Sequence, residues 1–78
     1  MKIFDELEKL GNSFPSFLFS VNSGSWGCRV TAESRHTGRT ASVEIVNGCG
    51  RSEDHTNAAP PEMIDRMAVL ANSLDGVL

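Results

Sequence analysis

Apolar positions recur at helical spacing near both ends of the chain and alternate between them. Ile3, Leu7 and Leu10 fall on one helical stripe with Phe4 beside it, and Asp5, Glu6 and Glu8 lie mostly opposite. This spacing predicts a short amphipathic helix over residues 2–10. Acidic residues in its first turn suit the positive end of the helix dipole. Gly11-Asn12 supplies the stop, because both residues tolerate a left-handed C-cap, and Phe14-Pro15 then forces extended backbone.

From Ser16 to Asn22 the period becomes two, with Phe17, Phe19 and Val21 on one side and Ser16, Leu18 and Ser20 on the other. Ser23-Gly24-Ser25 reads as a turn. A second strand follows, with Trp26, Cys28, Val30 and Ala32 inward and Gly27, Arg29, Thr31 and Glu33 outward. Residues 34–38 turn again, and Thr40–Val46 forms a third strand with Ala41, Val43 and Ile45 inward. Residues 47–59 show no apolar period and read as a long loop. Pro60-Pro61-Glu62 opens the last helix, whose broad apolar face comprises Met63, Met67, Leu70 and Leu74 flanked by Ile64, Ala68 and Ala71, with Gly76 as its C-cap.

The expected fold class is α+β: an N-terminal helix, a three-stranded antiparallel meander and a C-terminal helix. Both helices pack on the one oily sheet face, leaving the other face wet. Seventy-eight residues suffice for one compact domain, 1–78, and not for a second core.

The net charge of -3 disfavours a general phosphate-backbone binder. It also hides a gradient. Residues 28–51 hold four arginines against two glutamates, and residues 52–78 hold Arg66 against five acids. No secretory h-region follows Met1-Lys2 and no apolar run is long enough to span a bilayer, so the expectation is a cytoplasmic protein that does not enter a membrane. Cys28 and Cys49 are then expected as free thiols.

Cys28, His36, Cys49 and His55 are zinc-ligand types, but no pair sits at ligand spacing, so no metal is expected. Cys49 with Asp54 and His55 suggests a thiol nucleophile with a base and an orienting acid. A flexible loop, however, supplies little to lower a thiol pKa. Gly48-x-Gly50 is not followed by Gly-Lys-Ser/Thr, and two prolines and Glu62 open the next helix, so a phosphate cradle is not expected. The chain thus reads as a non-enzyme without cofactor.

What remains are charged surfaces. Arg35, His36 and Arg39 form a basic prong on a hairpin turn, Arg29 and Arg51 add cations in the same third, and Glu53 and Asp54 begin an acidic set continued by Glu62 and Asp65. These are the candidate partner contacts: Arg29, Arg35, His36, Arg39, Arg51, Glu53 and Asp54. The helix, three strands, helix order is similar to the double-stranded RNA-binding domain. That family carries a lysine-rich cluster at the start of its second helix, where this chain has Pro60, Pro61, Glu62 and Asp65. In size and in lacking a catalytic signature the chain resembles small phage-encoded anti-defence proteins of the anti-CRISPR type. That resemblance implies a non-enzymatic inhibitor that docks on a larger protein complex, a nucleic-acid site of a CRISPR effector being the implied target in the host cytoplasm. Direct nucleic-acid binding through the arginines is the alternative. With so small a core, the expected state is a monomer or a two-fold dimer.

Overall fold

The computed structural model describes residues 3–75. In chain order it contains α1 (Ile3–Ser13), β1 (Phe17–Gly24), β2 (Gly27–Ser34), β3 (Thr40–Val46), β4 (Cys49–Asp54) and α2 (Pro61–Leu74). The strands form one antiparallel sheet in the order β1-β2-β3-β4, so every connection is between neighbours. The α+β class stands, and the sheet has four strands rather than three.

The fourth strand comes from the segment expected as loop. Val46 pairs with Cys49, so Asn47-Gly48 is a two-residue connection, and both residues have positive φ, 51° and 80°. Those dihedrals twist a hairpin in the sense that strands require, and Asn-Gly is the residue pair that adopts them most cheaply. β4 shows no apolar period because no helix covers it: Gly50, Ser52 and Asp54 stand opposite Ile45, Val43 and Ala41 on the helix side, and the whole strand is exposed.

Both helices lie on one face of the sheet. α2 packs across β2 and β3, and α1 packs on β1 and on α2. The core joins Leu10 and Phe17 to Cys28, Val30, Ala32, Val43 and Ile45 of the sheet and to Met63, Met67, Leu70, Ala71 and Leu74 of α2. Met63, Met67, Val30 and Ala32 are fully buried, and removing such side chains from water contributes about 1.5–3 kcal/mol each for the larger ones. Two pyrrolidine rings suit the start of α2. Pro60 is its N-cap, and its carbonyl accepts from the Met63 N–H. At the other end the Asp75 N–H closes on Ala71, while Gly76 lies outside the described residues.

α1 does not stop at Gly11-Asn12 but runs to Ser13, and the Phe14 N–H continues the ladder to the Leu10 carbonyl at 2.9 Å. The reason is tertiary. Phe14 packs on the core edge, its ring 6.5 Å from that of Phe19 and beneath the Arg66 guanidinium, and this holds the helix past its glycine.

Trp26 also departs from expectation. It is 39% exposed, in the two-residue β1–β2 connection instead of the inward row of β2. The inward row of β2 begins at Cys28; Gly27 before it has φ +135° and lies so close to β3 that a Cβ would come 1.9 Å from the Ile45 carbonyl oxygen. Only glycine fits so close against the neighbouring strand at that φ, and Trp26, one residue earlier, lies in the connection outside the ladder.

Candidate docking surface

The face away from the helices is uncovered, and the register arranges its side chains in cross-strand rows. One row runs Asn22, Arg29, Glu44, Arg51, the next Ser20, Thr31, Ser42, Glu53, and the third Leu18, Glu33, Thr40. A shallow cleft of about 290 Å³ lies between Arg29, Thr31, Thr40, Ser42, Glu44, Arg51 and Glu53. It carries two arginines against two glutamates, with hydroxyls between them.

Within the first row, Arg29 Nη2 and Nε both donate to Glu44 Oε2, at 2.7 and 3.1 Å. Glu44 is the less exposed partner, its side chain 17% accessible, and two N–H groups on one oxygen fix the arginine's orientation. The Arg29 guanidinium also lies 5.6 Å from the Trp26 ring, so the indole, arginine and glutamate form one ordered strip leading inward from the rim. Arg51 stands opposite Glu44 in register yet forms no ion pair among the described residues. It is the free cation of the face.

The basic prong lies at the other end of the sheet. Ser34, nearly buried, organises it: its Oγ accepts from the His36 and Thr37 N–H groups at 3.2 and 3.3 Å, and its carbonyl accepts from the Gly38 N–H. Arg39 is held by its own N–H to Thr37 Oγ1 and by its carbonyl to the Ser34 N–H. Arg35, His36 and Arg39 are therefore exposed side chains on an ordered turn. Glu53 reaches this end too, with Oε2 3.2 Å from His55 Nε2, both side chains exposed.

Asp54 turns away from the face to fix the chain leaving β4. Its Oδ1 accepts from the Thr56 hydroxyl at 2.6 Å and the Thr56 N–H at 2.9 Å. The hydroxyl bond foremost holds the carboxylate below its ordinary pKa of 3.8. The set Arg29, Arg35, His36, Arg39, Arg51, Glu53 and Asp54 thus divides. Arg29 and Arg51 share a row toward one end, the prong and Glu53 lie toward the other, and Asp54 serves the backbone.

The metal and thiol constellations are taken apart by the fold. Cys28 points into the core, where Sγ donates to the Ala71 carbonyl at 3.3 Å, and burial, followed by the charge of Asp75, pushes its thiol pKa up. Cys49 is exposed on the opposite face, so the two thiols are separated by the sheet. His55 follows the far end of β4, six residues of extended chain or about 20 Å from Cys49, too far to act as its base. No group of three or more His, Cys, Asp or Glu side chains among the described residues has metal-binding geometry.

Reasoning from the sequence missed Trp26 and the in-register pairing of Arg51 with Glu44. The Asn47-Gly48 signal, read as a hairpin turn, supplies the second of these by counting back from Cys49. No helix among the described residues is long and apolar enough to cross a membrane. Comparison of the chain with protein-family models, with curated proteins and with solved structures finds no match to any of them.

Proposed function

We propose that this chain is a non-enzymatic docking domain that binds a larger protein complex through the uncovered sheet face and blocks the surface it covers. The observation that carries the reading is the strip Trp26, Arg29, Glu44, Arg51. It pairs a half-exposed indole with a fixed ion pair and a free arginine on a face that no helix shields. Tryptophan and arginine dominate binding energy at protein interfaces, and rigid side chains lose little entropy on docking. The resemblance to anti-CRISPR proteins supports a nucleic-acid site of a CRISPR effector as the target. The lysines and arginines of such a site are the complement of Glu33 and Glu53 on the open face, and Arg51 and the Arg35/Arg39 prong require acidic groups at its margin.

A tagged full chain incubated with a bacterial lysate containing such an effector tests this. The expected result is a complex stable at moderate salt and lost in the double variant Trp26→Ser, Arg51→Glu, whose fold is unchanged by circular dichroism. Capture equal for both chains removes the face from the account.

Direct nucleic-acid binding is favoured by one feature, the ordered prong of Arg35, His36 and Arg39. The open face opposes it, because Arg29 is neutralised by Glu44 and the rows carry Glu33, Glu44 and Glu53 against two arginines. A gel shift at low salt that disappears in Arg35→Ala, Arg39→Ala supports this reading, and no shift dismisses it.

A further inference from the structure

The two edges of the sheet differ in kind. β4 is short, and its sequence Cys-Gly-Arg-Ser-Glu-Asp puts three charges on an edge, a pattern that discourages strand addition. β1 has eight residues, Phe-Leu-Phe-Ser-Val-Asn-Ser-Gly, and no charge. It lies inside a run from Leu10 to Cys28 with no Asp, Glu, Lys, Arg or His, while charged residues recur at much closer spacing elsewhere. Uncharged edges of this length are uncommon on chains that stay single.

The backbone of this edge is available. β1 pairs with β2 alone, and its hydrogen-bonding direction follows from the ladder's ends. The Arg35 N–H donates to the Ser16 carbonyl, and Gly24 and Gly27 close a two-residue connection, so Ser16 and Gly24 face β2. By alternation Leu18, Ser20 and Asn22 face β2 as well, while Phe17, Phe19, Val21 and Ser23 direct their N–H and C=O groups outward. Beside that edge Ile3, Phe4 and Leu7 of α1 and Phe19 and Val21 of β1 line an open apolar groove of about 550 Å³. Phe4 is 84% exposed, the most exposed large apolar side chain among those described.

We infer that the β1 edge is a self-association surface, on which a second copy of this chain pairs its own β1 antiparallel about a two-fold axis near Ser20. The patch is complementary to itself, offering donors and acceptors alternately, apolar side chains on the helix side and the uncharged Leu18, Ser20 and Asn22 on the other, with no like charges to oppose across the axis. Its size sets the strength. A strip about 27 Å long and about 10 Å thick, with most of one phenylalanine, comes to roughly 450 Å² per copy, or about 900 Å² in all. That lies near the lower bound of about 1,000 Å² for specific interfaces, so the dimer is weak and concentration-dependent. It uses the sheet's edge, and so leaves the open face uncovered and doubles it.

Sedimentation of the full chain across a concentration series tests the inference. The expected result is a monomer–dimer equilibrium whose Kd rises about tenfold or more in Ser20→Lys, which sets two cations against each other, and in Phe4→Ser. Both sites are exposed, so circular dichroism and melting stay at wild-type values. In a Cys49→Ser background, Ser20→Cys is expected to give a disulfide-linked dimer on mild oxidation, since opposed residues at such an axis bring Cα atoms within disulfide range. A chain that is monomeric up to about 1 mM overturns the inference, as does a dimer that neither substitution weakens. If such a monomer instead takes up an added extended peptide at this edge, the groove belongs to a foreign strand.

Discussion

Gly27 and Gly48 show how one residue type serves two different constraints. At Gly27 the backbone is both at positive φ and pressed on the Ile45 carbonyl, whereas at Gly48 a Cβ would meet nothing. Gly48→Ala therefore costs only the left-handed penalty, about 1–2 kcal/mol, and the chain still folds. Gly27→Ala adds a backbone clash and is expected to cost about 3 kcal/mol or more, read as a loss of the cooperative melt or a steep fall in denaturation midpoint. Equal losses in the two variants contradict this account of Gly27.

Asp54 makes a pH prediction of definite sign. Its folded pKa is depressed, so its contribution to holding residues 54–57 is fully present above the ordinary value of 3.8 and is lost as the pH falls through the lower folded value. The Thr56 amide resonance is expected to shift only in that acid range, and Asp54→Asn to remove the shift. The cysteines give a second check. Cys49 reacts with an aromatic disulfide reagent in the native chain, and Cys28, buried and kept protonated, reacts only on unfolding.

Among the elements, those with a covered face were legible and the one without was not. α2 announces itself because Met63, Met67, Leu70 and Leu74 meet the sheet, and β2 and β3 do so because Cys28, Val30, Ala32, Ala41, Val43 and Ile45 meet α2. β4 is read only through its turn, since an edge strand with Gly50 and Ser52 toward the helix side has no apolar row for a period to reveal. The same physics limited the site. Arg29 on the wet face follows from alternation, but its lock on Glu44 needs the β2–β3 register, and Trp26 was misplaced because the alternation of β2 was extended back into the turn, which lies outside the ladder. The contact between α2 and the sheet is where stability resides: Met67→Ala is expected to cost about 2–5 kcal/mol in chemical denaturation. A substitution on β4 such as Ser52→Ala is expected to stay within about 0.5 kcal/mol.

At the scale of the molecule, two helices are spent on one side of a four-stranded sheet, and the other side is left to water. The net charge of -3 is distributed so that this open side mixes signs, the prong is basic, and α2 begins acidic with Glu62 and Asp65. A face of this kind selects partners by charge pattern more than by oily area, which predicts association that weakens as salt rises. The uncharged β1 edge follows the opposite logic, so its self-association is expected to be nearly independent of salt. The two surfaces are thereby separable in one titration.

Cys49 provides a native reporter on the proposed docking face, two residues from Arg51 and on the same side of β4. Its alkylation rate, measured in the free chain and in the chain bound to its captured complex, tests the central claim most directly. Docking on the open face is expected to slow alkylation at least about tenfold in the complex, since the thiol loses access to reagent. An unchanged rate in a complex that is fully formed would place the partner elsewhere on the molecule and contradict the account.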